Sequence, residues 1–211
     1  MSKADVLRQP ARKPSAKQAR AWQRMLSGRR LDLLDPAPLD IEIEDIAHGL
    51  SRVARWNGQT IGEWTFSVAQ HSLLVEELVG LLKPAAGPGE RLFAMLHDAP
   101  EYVVGDLISP FKAVVGDGYK ALEERLLAAI LVRFGLPGEP PAAWGKLIKR
   151  ADKLAAHIEA VQLAGFDKVE ADKYFGVPKA ERIAHFALEP QPPETAKAMF
   201  LKRFEKLLAA H

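Results

Sequence analysis

The sequence predicts an all-α fold, a compact helical bundle, on three observations. Apolar residues recur at helical spacing in several segments. Proline, glycine or a capping hydroxyl stands at the expected ends of those segments. Runs alternating apolar and polar residues between turn markers, which would signal strands, are nearly absent.

Taken in order, residues 1–14 carry Pro10 and Pro14 among polar and basic neighbours and are expected to be disordered. Ser15 can cap a helix running to Met25 or Leu26, followed by a loop through "SGRRLDLLDPAPLD". Ile43, Ile46, Ala47, Leu50, Val53 and Ala54 keep helical spacing until "NGQT" and Gly62 break it. Ser67 is the expected N-cap of "VAQHSLLVEELVGLL", which stops at "KPAAGPGE". A helix is expected over about 89–98, then an irregular stretch carrying Glu101 to Asp106. Ser109-Pro110 starts another helical piece, and Tyr119 to Phe134 forms a long amphipathic helix closed by Gly135 and Pro137. Pro140-Pro141 opens a helix over about 142–164 that Gly165 ends, and a last helix runs from about Pro193 to the C-terminus. Residues 1–30 read as a basic, partly disordered extension and 31–211 as one domain.

Composition sets the outer limits. Hydrophobic residues make up 48% and charged residues 27%, as in ordinary globular proteins, and a net charge of +2 points to no partner. Cysteine is absent, which removes disulfides and thiolate chemistry and suits a reducing cytoplasm, the expected location. No apolar run reaches the roughly 20 residues that span a bilayer. The first thirty residues hold Lys3, Arg8, Arg12, Lys13, Lys17, Arg20, Arg24, Arg29 and Arg30 against Asp5 alone. A solvated extension is the favoured reading. A nucleic-acid arm and a targeting segment are the alternatives.

Four residues spoil otherwise apolar helical faces: His71, the adjacent His97 and Asp98, and Asp152. Taken singly, each has a plain reading as a hydrogen-bonded core histidine or a solvent-facing aspartate, with Arg150 at hand for Asp152. Together, two imidazoles and two carboxylates form a mixed nitrogen and oxygen set suited to a divalent ion such as Mn, Fe, Co, Ni or Zn. His97 and Asp98 point about 100° apart on a helix, so both reach one ion only if it sits between their directions. Spacings of four and three put His48, Arg52 and Arg55 on one helix face, either as solvated basics with a core histidine or with Arg52 or His48 also contacting phosphate, which would favour a di- or triphosphate substrate. Tyr102 and Tyr174 read as packing residues.

The joint pattern, His71, then His97-Asp98, then Asp152, has the order and rough spacing of the HD-domain metal-dependent phosphohydrolases. "HDAPEYVVGDLISPFK" resembles the "HDxxE…GDLxxPxK" segment of the bacterial 5′-deoxynucleotidase branch of that superfamily. "VAQHSLLV" resembles its first-histidine helix, although a glutamate more commonly precedes the His-Ser pair there. "AHGLSRVARW" resembles its "AHLSR…RW", with shorter spacing, and "ADKLAAHIEA" its final aspartate helix. The likeness covers about residues 43–165.

This resemblance implies an HD-type helical bundle that removes phosphate from 5′-deoxynucleoside monophosphates in the cytoplasm, as a homodimer. His71, His97, Asp98 and Asp152 would hold one divalent metal ion (Mn, Co, Ni, Fe, Zn or Mg). Glu101 would lie beside the attacking water. Asp106 would take part in proton transfer or hold the sugar hydroxyl. Arg55 and Trp56 would line the sugar and phosphate pocket, and Lys112 would sit near phosphate. The two-metal HD enzymes place extra histidines between the HD pair and the last aspartate, and residues 99–151 have none, so His157 is not read as a second-metal ligand. Deoxynucleoside triphosphate hydrolysis, action on another small phosphate ester, and a non-catalytic nucleotide-binding module are the alternatives. The small-molecule partner is a nucleotide, with no membrane and no nucleic acid expected.

Overall fold

A computed structural model describes residues 21–107, 114, 117–178, 183 and 185–211 of the chain. Its first elements are two short strands, β1 (Trp22–Arg24) and β2 (Arg30–Asp32), paired antiparallel with Gln23 opposite Leu31. The helix expected to run through Met25 is therefore not formed over the described residues. Gly28, at φ +91°, makes the reversal, and Ser27 fastens it to Asp45 through its amide and hydroxyl. Leu31 and Met25 are buried in the core, so the folded unit includes residues ahead of position 31.

Helix α1 (Ile43–Leu50) buries Ile46, Ala47 and Leu50. It stops at Leu50, short of Val53 and Ala54, because the chain turns to make a bridge between Ala54 and Ser67. The Arg55 amide also donates to the Phe66 carbonyl (2.8 Å). His48, Arg52 and Arg55 thus share no helical face. A single 3₁₀ turn, Arg55–Gly58, follows, with Trp56 and Asn57 at φ +56° and +51°.

Ser67 caps α2 (Val68–Leu82), accepting from the Gln70 amide as its sequence position predicts. Pro88 opens α3 (Pro88–Leu96), which ends one residue before His97. The stretch expected to be irregular instead contains one helical turn, α4 (Glu101–Val104), released by Gly105 at φ +77°. Next come α5 (Asp117–Arg133) and the long α6 (Ala142–Gln162), each followed by a glycine at positive φ, Gly135 and Gly165. A further helix, α7 (Lys168–Phe175), went unforeseen, although Asp167 caps it on the Glu170 amide. Helix α8 (Pro193–Ala210) closes the fold. Lys112 and the helical start at Ser109-Pro110 lie outside the described residues.

The described residues are thus mostly helical, and α2 is the central rod. It packs against α6 on one side and α3 on another, while α8 covers α3 and α1. Fully buried Leu78, Leu92, Leu96, Leu126, Phe200 and Phe204 fill the space between them. No helix among the described residues is long and apolar enough to cross a membrane. Gly49 lets α1 and α4 touch: a Cβ there would stand 2.7 Å from the Tyr102 Cβ.

One buried charge ties three helices. Glu76 on α2 accepts from Arg203 of α8 through two bonds of 2.7 Å and pairs with Arg91 of α3 at 2.6 Å. Without that carboxylate both guanidiniums would lose their shared buried counter-charge. Glu76→Gln is expected to cost about 2–3 kcal/mol, read as a lower urea midpoint with unchanged slope.

Candidate metal centre

The centre is assembled where α2, α3 and α6 meet. Fully buried His71 comes from the first turn of α2, Asp152 from the middle of α6, and His97 and Asp98 from the turn that follows α3. His71 Nε2 lies 3.4 Å from Asp98 Oδ2 and 3.3 Å from Asp152 Oδ1, and His97 Nε2 lies 3.2 Å from Asp98 Oδ2. The donor atoms of His71, His97 and Asp152 all fall within 4.8 Å of one another. The four residues singled out in the sequence therefore do meet, and Asp152 turns to His71 rather than to Arg150.

The donor chemistry fits a divalent cation. Each histidine has its Nδ1 engaged, His71 with Glu159 Oε1 (2.5 Å) and His97 with the Ala94 carbonyl (2.8 Å), which turns both Nε2 atoms toward the carboxylates. Those two Nε2 atoms are buried yet make no hydrogen bond. Buried polar atoms rarely go unsatisfied without a reason, and two such nitrogens facing two carboxylates make a donor set for a divalent ion. Ligands about 2.0–2.2 Å from one ion stand about 3–3.5 Å from their neighbours, the separations seen here.

Around this set lie more acids than bases. Glu159, fully buried on α6 two turns beyond Asp152, also accepts from Trp56 Nε1 (2.9 Å) and Arg55 Nε (3.3 Å). Arg55 Nη1 donates in turn to Asp106 Oδ2 (2.9 Å). Glu101 is buried at the start of α4, within electrostatic range of Arg55. Five carboxylates thus surround one guanidinium and two imidazoles. Trp56 is held by Phe166 and Phe175, with ring centroids 5.6 and 5.8 Å away. Its indole is therefore partly spent on packing.

Burial disfavours every charge here, and pairing outweighs it. Arg55 stays protonated because Glu159 and Asp106 exceed the cost of its burial. Burial and Arg55 both push the His71 pKa down, yet Glu159, Asp152 and Asp98 overcome them and hold it well above the ordinary histidine value. Asp98 is kept low against its burial by His97 and His71, Asp152 by His71, and Glu159 by His71 and Arg55.

Sequence reasoning missed Glu159. The signal was its place seven residues beyond Asp152, on the same helix face, between Ile158 and Ala160. Arg52 goes elsewhere than the centre, pairing with Glu194 at 2.8 Å. His157 likewise stands apart, bonded through Nε2 to Asp172 of α7 (2.7 Å).

No family model matches the chain. It is 57% identical over 189 residues to the uncharacterized protein RCAP_rcc00048 of Rhodobacter capsulatus, an alignment covering 90% of this chain and 96% of that one. It is 34% identical over 169 residues to the uncharacterized protein YfdR of Escherichia coli, covering 80% and 85%.

Two outcomes test the centre. A carboxylate behind a ligating histidine fixes its ring and basicity, so Glu159→Gln should weaken Mn²⁺ or Co²⁺ binding about 10–100-fold in calorimetry. In the metal-free protein Glu159, Asp152 and Asp98 hold the His71 pKa well above the ordinary histidine value against its burial and Arg55, so an ion competes with a proton for the ring. Affinity should therefore fall as pH drops, by up to about tenfold per unit, with about one proton released per ion in buffers of differing ionisation heat.

Proposed function

We propose that this chain, which belongs to one family with the Rhodobacter capsulatus and Escherichia coli proteins, is an HD-type metal-dependent phosphohydrolase. Its substrates in this reading are 5′-deoxynucleoside monophosphates. The observation that carries it is the convergence of His71 Nε2, His97 Nε2, Asp98 Oδ2 and Asp152 Oδ1 beside the buried Arg55. Water attacks phosphorus, the bond to the 5′ oxygen breaks, and the nucleoside leaves as an alcohol with inorganic phosphate as the other product.

The work divides among the residues. His71, His97, Asp98 and Asp152 would hold the divalent ion, which when bound makes a water more acidic and offsets phosphate charge. Glu101, three residues past Asp98 and buried, would orient the attacking water and take its proton. Arg55 would bind the non-bridging phosphate oxygens, held in place by Asp106 and Glu159 so that little reorganisation is needed. Asp106 already accepts from Arg55, which suits it to accept from a sugar hydroxyl as well.

A monophosphate is favoured over a triphosphate by the fate of the basic residues after α1. With α1 ending at Leu50 and Arg52 turned to Glu194, the stripe that would have reached further phosphates does not form. The homodimer and the cytoplasmic location belong to the same reading and rest on the resemblance.

The test is phosphate release from a panel of deoxynucleoside mono- and triphosphates and their ribose counterparts, with protein loaded with Mn²⁺, Co²⁺ or Ni²⁺. Phosphate is expected from the 5′-deoxymonophosphates, falling about a thousandfold in His97→Ala and Asp98→Ala. Nucleotide binding without hydrolysis under every metal, unchanged in His97→Ala, would establish the non-catalytic module instead. Release of intact triphosphate would move the substrate to the deoxynucleoside triphosphates.

A further inference from the structure

Away from the metal centre, the outer face of α6 forms one wall of a groove of about 470 Å³. Lys146, Lys149, Arg150 and Lys153 line that wall at steps of three, one and three residues, so they share one helix face. They extend over about 10 Å of the helix axis. All four are exposed, and none makes an ion pair among the described residues. From Ala142 to Arg150 the helix holds no acidic residue, whereas a merely solvated face normally mixes both signs. The rest of the lining is mostly apolar: Leu82, Phe175, Val177 and Pro178 from other segments, with Leu154 of α6 beside Lys153.

We infer that this groove binds a nucleoside polyphosphate at a site separate from the metal centre. Four unneutralised cations in a concavity concentrate positive potential and attract a multiply charged anion. Their 10 Å extent suits a short chain of phosphates, and the volume lies in the range of small-molecule sites. The apolar part of the lining, Leu82, Phe175, Val177 and Pro178, supplies a surface for the base. The cationic face is turned roughly 120° about α6 from the face of Asp152 and Glu159, so one phosphate group cannot serve both. Phe175 belongs to both neighbourhoods, lining the groove and packing on Trp56 at 5.8 Å. Binding there does not depend on any chemistry at the metal centre.

Calorimetric titration of the full-length, metal-free protein with ATP and with inorganic triphosphate in EDTA tests this. ATP is expected to bind the wild type and His97→Ala equally, and to bind more tightly than inorganic triphosphate. Lys149→Glu/Lys153→Glu should weaken ATP at least about a hundredfold, and Lys149→Gln/Lys153→Gln about tenfold. The melting temperatures should not change, since both side chains are exposed. Unaltered ATP affinity in the charge-reversed pair, loss of binding in His97→Ala, or equal affinity for inorganic triphosphate would each overturn the inference. So would a short single-stranded oligonucleotide binding more tightly than ATP, which would make the groove a nucleic-acid track. Phosphate release from a deoxynucleoside monophosphate by the charge-reversed pair should stay at the wild-type level, which separates a failure here from one at the metal centre.

Discussion

The pairing of Glu159 with His71 is the contact on which the rest of the centre depends. It joins α6 to α2, the two longest-packed neighbours in the bundle, and sets the imidazole so that its other nitrogen faces Asp98 and Asp152. The same carboxylate receives Arg55 and Trp56, so one buried group positions both the ion-facing ligand and the cation beside it. A buried carboxylate without such partners would be expelled or protonated. With three donors it stays ionised, and its neighbours inherit its placement. The left-handed backbone at Trp56 and Asn57 belongs to this arrangement. Two consecutive non-glycine residues with positive φ cost energy, and the indole bond to Glu159 together with the packing on Phe166 and Phe175 holds them there.

Much of this was legible in the chain because punctuation and chemistry fall at the same points. Ser67 and Pro141 mark helix starts, and Gly135 and Gly165 mark ends, each through a backbone requirement that few other residues meet. The metal set was legible because His71, His97 and Asp152 interrupt apolar faces that would otherwise be uniform. Three-residue strands, by contrast, carry no measurable periodicity, so the hairpin before Leu33 looked like the end of a helix. Val53 and Ala54 fit a helical spacing while serving an extended bridge to Ser67, and there tertiary pairing overrode local pattern. Glu159 was overlooked for a different reason. A residue that supports a ligand, rather than being one, has no motif of its own and is recognised only when its partner's ring is in place.

The cations of the centre and those on the outside of α6 are organised in opposite ways. Arg55 is saturated with carboxylates and locked, which suits a group that must hold one geometry against the cost of burial. The lysines on the outside of α6 have no acidic partners among the described residues and keep their rotamer freedom. The first arrangement fixes one geometry. The second attracts by field, and its strength will vary with ionic strength as surface electrostatics do.

The candidate ligands come from three helices, with 26 residues from His71 to His97 and 54 from Asp98 to Asp152. An unfolded chain cannot hold these four groups together, so an ion held by them would bind the native state almost exclusively. At a hundredfold excess over its dissociation constant, such an ion adds about 2.7 kcal/mol to the folding equilibrium. That is a substantial fraction of what a domain of this kind possesses. An ion held there would make opening of the native state rarer, so the loaded chain would be cleaved by proteases more slowly than the metal-free one.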